Sequence, residues 1–214
     1  MLRADRRVVV SHVGSLVRPP AMIPYLEKIR DKEPYDEAAF EKCLTDSIAE
    51  AVRQAEAGID VVSDGEYGKS INWAFYVHRR LSGLTWRPYT AEEAKDPTIA
   101  VIGGRDREAF PEFYGEYDAR VLANARAAGR AIVTGAITYT GTAELQRDIA
   151  NLKAGVANVE GGTGFLPVVA PASALPNAKN EHYRDEEAFL FGLAEALGTE
   201  YRAIIEAGAS DPEH

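Results

Sequence analysis

Apolar residues recur along this chain with two periods, and the alternation between them is the first guide to its fold. Val8, Val9 and Val10 form a β-branched run of the kind that is buried on both faces of a parallel sheet, and it ends in His12-Val13-Gly14-Ser15. Asp36 stands where it caps a helix whose apolar positions Phe40, Leu44, Ile48, Val52 and Ala55 recur at helical spacing, with Gly58 as the stop. Ile59 to Val62 reads as a second strand and ends in Ser63-Asp64-Gly65-Glu66. Residues 69–104 break the rhythm, with an aromatic helix around Tyr76, a break at Gly83 and a polar stretch through Asp96-Pro97. The helical stripe resumes with Phe110, Phe113, Tyr114, Tyr117, Val121 and Ala125, stops at Ala128-Gly129, and precedes a strand over 131–138. A helix carrying Leu145, Ile149, Leu152 and Val156 leads through Gly161-Gly162 to a fourth strand over 165–170, in which Pro167 is a poor fit. A last helix from Asp185 is expected to align Phe189, Leu190, Leu193, Leu197, Tyr201, Ile204 and Ile205 on one face.

Amphipathic helix, glycine stop and apolar strand thus repeat, which is the signature of an α/β fold with parallel strands joined by helical crossovers. Four such βα units make half of an eight-stranded barrel, and a complete barrel takes ~250 residues where this chain has 214. The pattern ends at Ala207-Gly208, where a fifth strand is due. The expectation is a single domain over 1–214: a partial TIM (β/α)8-type barrel, its first half, with an insertion after strand two at about 69–104. Open strand edges in such a half-barrel favour association between copies, so a homo-oligomer is expected.

Charge and cysteine content narrow the partners. Thirty-three acidic against 24 basic residues give a net charge of −9, which repels nucleic acid and anionic lipid alike. The single cysteine, Cys43, excludes an internal disulfide and a paired zinc or redox motif, and its place beside Phe40 and Leu44 reads as a small buried hydrophobe. The N-terminal apolar run is too short for a signal peptide or a membrane span, so the expected compartment is the cytoplasm.

In parallel α/β folds ligands bind at the carboxyl ends of the strands. Two of the four strand ends combine ionisable groups with glycines: His12-Val13-Gly14-Ser15 and Asp64-Gly65-Glu66. Ser15 and the amides around Gly14 suit a carboxylate, and Glu66 suits an ammonium, so together they can grip an amino acid by its two backbone charges. Structural readings stand beside these. Ser15 and Gly14 can form a plain turn, Asp64 can cap the next segment, and Glu66 can pair with Arg79 or Lys69. His12 is a core histidine, a substrate contact, or a metal ligand with Asp64 and Glu66. Gly161-Gly162-Thr163-Gly164 precedes a strand, whereas a dinucleotide fingerprint follows one.

The strand ends together resemble the catalytic domain of the cobalamin-independent methionine synthase family and its shorter relatives. The stretches that carry the resemblance are His12-Val13-Gly14-Ser15-Leu16-Val17-Arg18-Pro19, Ala57 through Glu66, and Val133-Thr134-Gly135-Ala136-Ile137-Thr138. The resemblance implies a barrel that moves a methyl group, from a methylated folate, to the sulfur of homocysteine held as a thiolate on zinc. It implies that Val13, Gly14 and Ser15 hold the homocysteine carboxylate and that Glu66 takes its amino group. The family's zinc ligands lie in the second half of the barrel, and Cys43 matches none of them. The implied function is a methionine-synthase-like S-methyltransferase in which this chain keeps the amino-acid-binding strand ends without the zinc ligands. An alkyl transferase to another thiol such as coenzyme M, and an inactive self-associating fragment, are the alternatives.

Overall fold

The capping expectation at Asp36 is met directly: its Oδ1 accepts the Ala39 N–H at 3.0 Å and opens a helix over Glu37–Val52. The computed structural model describes residues 8–31, 33–69, 73–93, 105–117, 129–175 and 178–208. In chain order the elements are α1 (Ile23–Asp31), α2 (Glu37–Val52), β1 (Val61–Ser63), α3 (Trp73–Arg79), β2 (Leu84–Arg87), α4 (Arg105–Ala109), β3 (Arg130–Val133), α5 (Thr142–Val156), β4 (Thr163–Phe165), α6 (Pro171–Ala174), β5 (Ala178–Asn180) and α7 (Glu186–Glu206). Within the single domain expected over 1–214, the chain divides into two compact units. One comprises residues 1–81, 139–169 and 195–214, and the other 82–138 and 170–194. The fold is mixed α/β with parallel strand pairs.

The first unit holds the candidate strand ends. β1 pairs in parallel with β4, Val61 opposite Thr163 and Ser63 opposite Phe165, and Ser11 makes a single parallel bridge to Val61. Helices α2 and α5 pack on these strands through Leu44, Ile48, Val52, Leu145, Ile149 and Leu152, all buried. Each such side chain contributes roughly 1.5–3 kcal/mol by leaving water. Gly164 lets α5 approach β4, since a Cβ there would sit 2.8 Å from Val156 Cγ2. Three strand expectations shrink. Val8 is 82% exposed and Val10 44%, so the Val8–Val10 run is not buried on both faces, and its pairing among the described residues is a single bridge at Ser11, with Val10 O accepting from the Val61 N–H. The fourth strand ends at Phe165 rather than running to 170, because Pro167 has no N–H to offer a ladder. The third ends at Val133, where Thr134 and Gly135 both donate to the Gly83 carbonyl and close the ladder.

In the second unit β3 pairs antiparallel with β2 and parallel with β5. Leu84–Arg87 lies inside the expected insertion at 69–104, whose residues 70–72 and 94–104 are outside the described set. Register sets Arg87 opposite Arg130, and the Glu93 carboxylate bridges the two at 2.6 Å from each. The Arg87 hydrogen bond, then the Thr90 amide and Arg130, hold the Glu93 carboxyl well below the usual range. Of the stripe from Phe110 to Ala125, the helical turns over 111–117 expose Phe113, whose ring stacks on Tyr117; Val121 and Ala125 lie outside the described residues. Among the described residues no helix is long and apolar enough to cross a membrane.

A charge network is buried inside the first unit. Arg80 is 1% exposed and meets Asp148 Oδ2 at 2.5 Å and Glu200 Oε1 at 3.6 Å, while Tyr76 and Tyr139 donate to the two Glu200 oxygens. Burial, with the Glu200 charge behind it, pushes both phenols up and keeps them donors. Gly141 leaves room for Arg80, whose Cγ would lie 2.3 Å from a Cβ at that position. Removing one member of such a set leaves uncompensated charge in the interior, so Arg80→Met is expected to destabilise the chain by about 3–5 kcal/mol in chemical denaturation. A loss below about 1 kcal/mol would show that the network carries no weight in the fold.

Candidate amino-acid site at the strand ends

Two loops meet beyond the carboxyl ends of the first two strand segments. Leu16 N–H donates to Gly65 O at 3.1 Å, Arg18 Nη2 donates to Glu66 O at 3.2 Å, and Tyr67 Oη donates to Val17 O at 3.2 Å. The turn that makes this clasp has two successive left-handed residues, Gly65 at φ 67° and Glu66 at φ 58°. Glycine is needed at the first, because a Cβ there would come within 2.9 Å of the Tyr67 ring. Glu66 takes the same region with a full side chain, a conformation concentrated at functional sites.

The six candidate residues divide in this arrangement. Ser15 and Glu66 are brought together: Ser15 Oγ donates to Glu66 Oε2 at 2.6 Å, with Ser15 exposed and Glu66 half-buried. Gly14 is exposed at φ 62°, and Val13 is exposed beside it. His12 is buried, with its hydrogen bonds directed inward. Its Nδ1 accepts the Ser63 N–H at 3.0 Å, which leaves Nε2 to donate to Gln54 Oε1 at 3.2 Å. His12 therefore ties its strand to β1, a tie extended by Gly65 N–H donating to Ser63 Oγ. Asp64 is fully buried and accepts the Glu66 N–H on Oδ1 at 3.0 Å. The anticipated pairing of Glu66 with Arg79 or Lys69 is replaced: Arg79 faces Glu144 at 3.5 Å, and Lys69 donates to Pro167 O.

The sequence offered no sign of Arg18 as a clasp residue or of the left-handed geometry at Glu66. Both depend on loops that meet from distant parts of the chain. A cavity of about 250 Å³ lies nearby, lined by Phe40, Gly68, Arg79, Glu144 and Arg147 among others, and none of the six candidates lines it. Its arginines are already paired, Arg79 with Glu144 and Arg147 with Glu41 at 3.1 Å, so the open Ser15–Glu66 pair is the better candidate. Zinc is the metal that the resemblance implies. Among the described residues no group of three or more His, Cys, Asp or Glu side chains is placed to hold a metal ion, and Cys43 packs half-buried against the core. The described residues do not fit zinc.

Burial raises the Asp64 carboxyl; Lys69 opposes this, and the Asp148 and Glu66 charges add to it. A carboxyl raised by folding favours the folded state fully below its ordinary value of 3.8, and that contribution is lost as pH rises through the raised value. Asp64→Asn keeps an acceptor for the Glu66 N–H and has no charge to bury. The variant is therefore expected to melt higher than wild type near about pH 8, with the gap closing toward about pH 5. A gap that stays constant over that range would contradict the assignment.

No protein-family model and no curated protein matches the chain. Solved structures do. The B12-independent methionine synthase from Shewanella sp. W3-18-1, in complex with selenomethionine, superposes with a TM-score of 0.62 at 19% identity, over 94% of this chain and 49% of that one. The putative vitamin-B12-independent methionine synthase from Listeria monocytogenes superposes with a TM-score of 0.60 at 20% identity, over 95% of this chain and 51% of that one. This chain has the fold of cobalamin-independent methionine synthase structures over about half of their length.

Proposed function

We propose that this chain is a methionine-synthase-like S-methyltransferase unit, acting in the cytoplasm, whose strand ends grip homocysteine or methionine. The observation that carries the reading is the 2.6 Å contact between Ser15 and Glu66, made beyond the strand ends in a fold shared with methionine synthases. Without ligand, Glu66 holds the Ser15 hydroxyl. A ligand ammonium replaces that neutral donor with a charge-assisted one worth roughly 1.5–3 kcal/mol, and Ser15 turns its proton to the ligand carboxylate. The backbone at Gly14 lies open beside it and offers its N–H to the same carboxylate.

Gripping both backbone charges fixes where the ligand sulfur points, and orientation of this kind is a large part of what a two-substrate transfer requires. In the transfer the donor's N–CH3 bond breaks, the S–CH3 bond forms, and the thiol proton ends on the donor nitrogen. A methylated folate is the donor in this reading. Among the described residues no metal-binding group is placed to activate the thiol. The architecture that goes with the proposal is a partial barrel, a reading supported by the superposition on about half the length of the methionine synthase structures.

Titration calorimetry with methionine and with homocysteine tests the grip. The wild-type chain is expected to bind, and Glu66→Ala to weaken binding by at least about tenfold, the loss of one charge-assisted contact. Failure of the wild-type chain to bind either amino acid overturns the proposal.

A further inference from the structure

The peptide plane between Gly65 and Glu66 is pinned at both ends. Its carbonyl, Gly65 O, accepts from Leu16 N–H, and its amide, Glu66 N–H, donates to Asp64 Oδ1 at 3.0 Å. Left-handed backbone at a residue with a side chain costs ~1–3 kcal/mol and persists where neighbouring contacts over-determine it. Leu16 from the first loop and Asp64 from within the turn hold this plane, and Arg18 Nη2 and the Lys69 N–H hold the Glu66 carbonyl on its far side. Asp64 is itself an expensive residue to keep. It is fully buried, and its Oδ2 has no hydrogen-bond partner among the described residues. A buried acceptor with an idle oxygen is normally eliminated from a core unless its other oxygen does something the fold requires.

We infer that Asp64 is the positioning residue of the amino-acid site: its Oδ1 holds the Glu66 backbone left-handed and so aims the Glu66 carboxylate at Ser15 and at a ligand ammonium. The inference rests on the proposed grip for its functional meaning, and the geometry it describes exists without ligand. Release of the Glu66 amide lets the plane rotate, which breaks the Leu16 contact at its other end and turns the carboxylate away from Ser15. The acceptor oxygen is the working part of Asp64, and its charge is not.

Three variants separate these roles: Asp64→Asn keeps the acceptor, Asp64→Ala removes it, and Asp64→Val removes it while filling the buried space if the alanine variant fails to fold. Two readouts are taken on each, the hydrogen-exchange protection of the Glu66 amide in the free chain and the calorimetric affinity for methionine. Near about pH 5, where the two chains are expected to be equally stable, Asp64→Asn is expected to match wild type in both. Asp64→Ala or Asp64→Val is expected to lose at least about tenfold in Glu66 protection and in affinity. Leu152→Ala, a core truncation on α5, serves as a control that lowers the melting temperature and leaves affinity unchanged. Unaltered Glu66 protection in the acceptor-less variants overturns the inference, as does an equal loss of affinity in Asp64→Asn. If wild type binds no methionine while Glu66 protection still follows the acceptor, the grip fails and the positioning role stands.

Discussion

The candidate site of this chain depends on the clasp between the loop at Gly14–Arg18 and the turn at Asp64–Glu66. Backbone and side-chain hydrogen bonds from Leu16, Arg18 and Tyr67 close it, and His12 anchors the strand that leads into it by bonding Ser63 and Gln54. The clasp brings residues about fifty positions apart in sequence to a 2.6 Å contact between Ser15 and Glu66. Free energy flows in one direction here. Burial around α2, α5, β1 and β4 stabilises the unit, and part of that surplus offsets an idle buried carboxyl oxygen and a left-handed glutamate. Sites of binding and catalysis are where local rules of this kind are broken.

The buried charges of the first unit fall into two sets with different work. Arg80, Asp148 and Glu200 compensate one another's charge and recruit Tyr76 and Tyr139, which serves to fix how α3, α5 and α7 meet, although Arg80 Nη1 faces Glu200 at 3.6 Å without a hydrogen bond. Asp64 and Glu66 have no opposite charge bonded to them in that way: among the described residues Asp64 leaves one oxygen without a hydrogen bond, and the Glu66 carboxylate meets the neutral Ser15 hydroxyl. A carboxylate with a neutral partner at an open strand end has capacity for a cation, and this asymmetry locates the candidate site more firmly than the cavity beside α2 does.

Much of the helical layer was legible in the sequence. Caps locate the starts of α2 and α7, because Asp36 and Asp185 bond the amides three positions on; the α2 stripe expected to run through Ala55 to Gly58 ends as α-helix at Val52 and continues as a 3-10 turn over Arg53–Ala57, and α5 opens at Thr142, ahead of its first apolar position Leu145. Strands were legible in place and overestimated in length. Val8–Val10 satisfies the local pattern of a buried strand, but burial is decided by what lies opposite, and Val8 is exposed. β2 and β5 escaped notice because Leu84–Arg87 and Ala178–Asn180 owe their pairing to β3 more than to β-branched composition. The segments at Ser15 and Glu66 were legible as glycine-bearing strand ends with ionisable groups. Their mutual contact, the inward role of His12 and the left-handed turn were not, since each is a property of two loops meeting.

A crystal structure of the chain grown with methionine tests the amino-acid grip most directly. The ligand ammonium is expected within hydrogen-bond distance of the Glu66 carboxylate, with the Ser15 hydroxyl turned to the ligand carboxylate and the contact between Asp64 Oδ1 and the Glu66 N–H unchanged. Methionine bound elsewhere, with Ser15 still donating to Glu66, would contradict the grip.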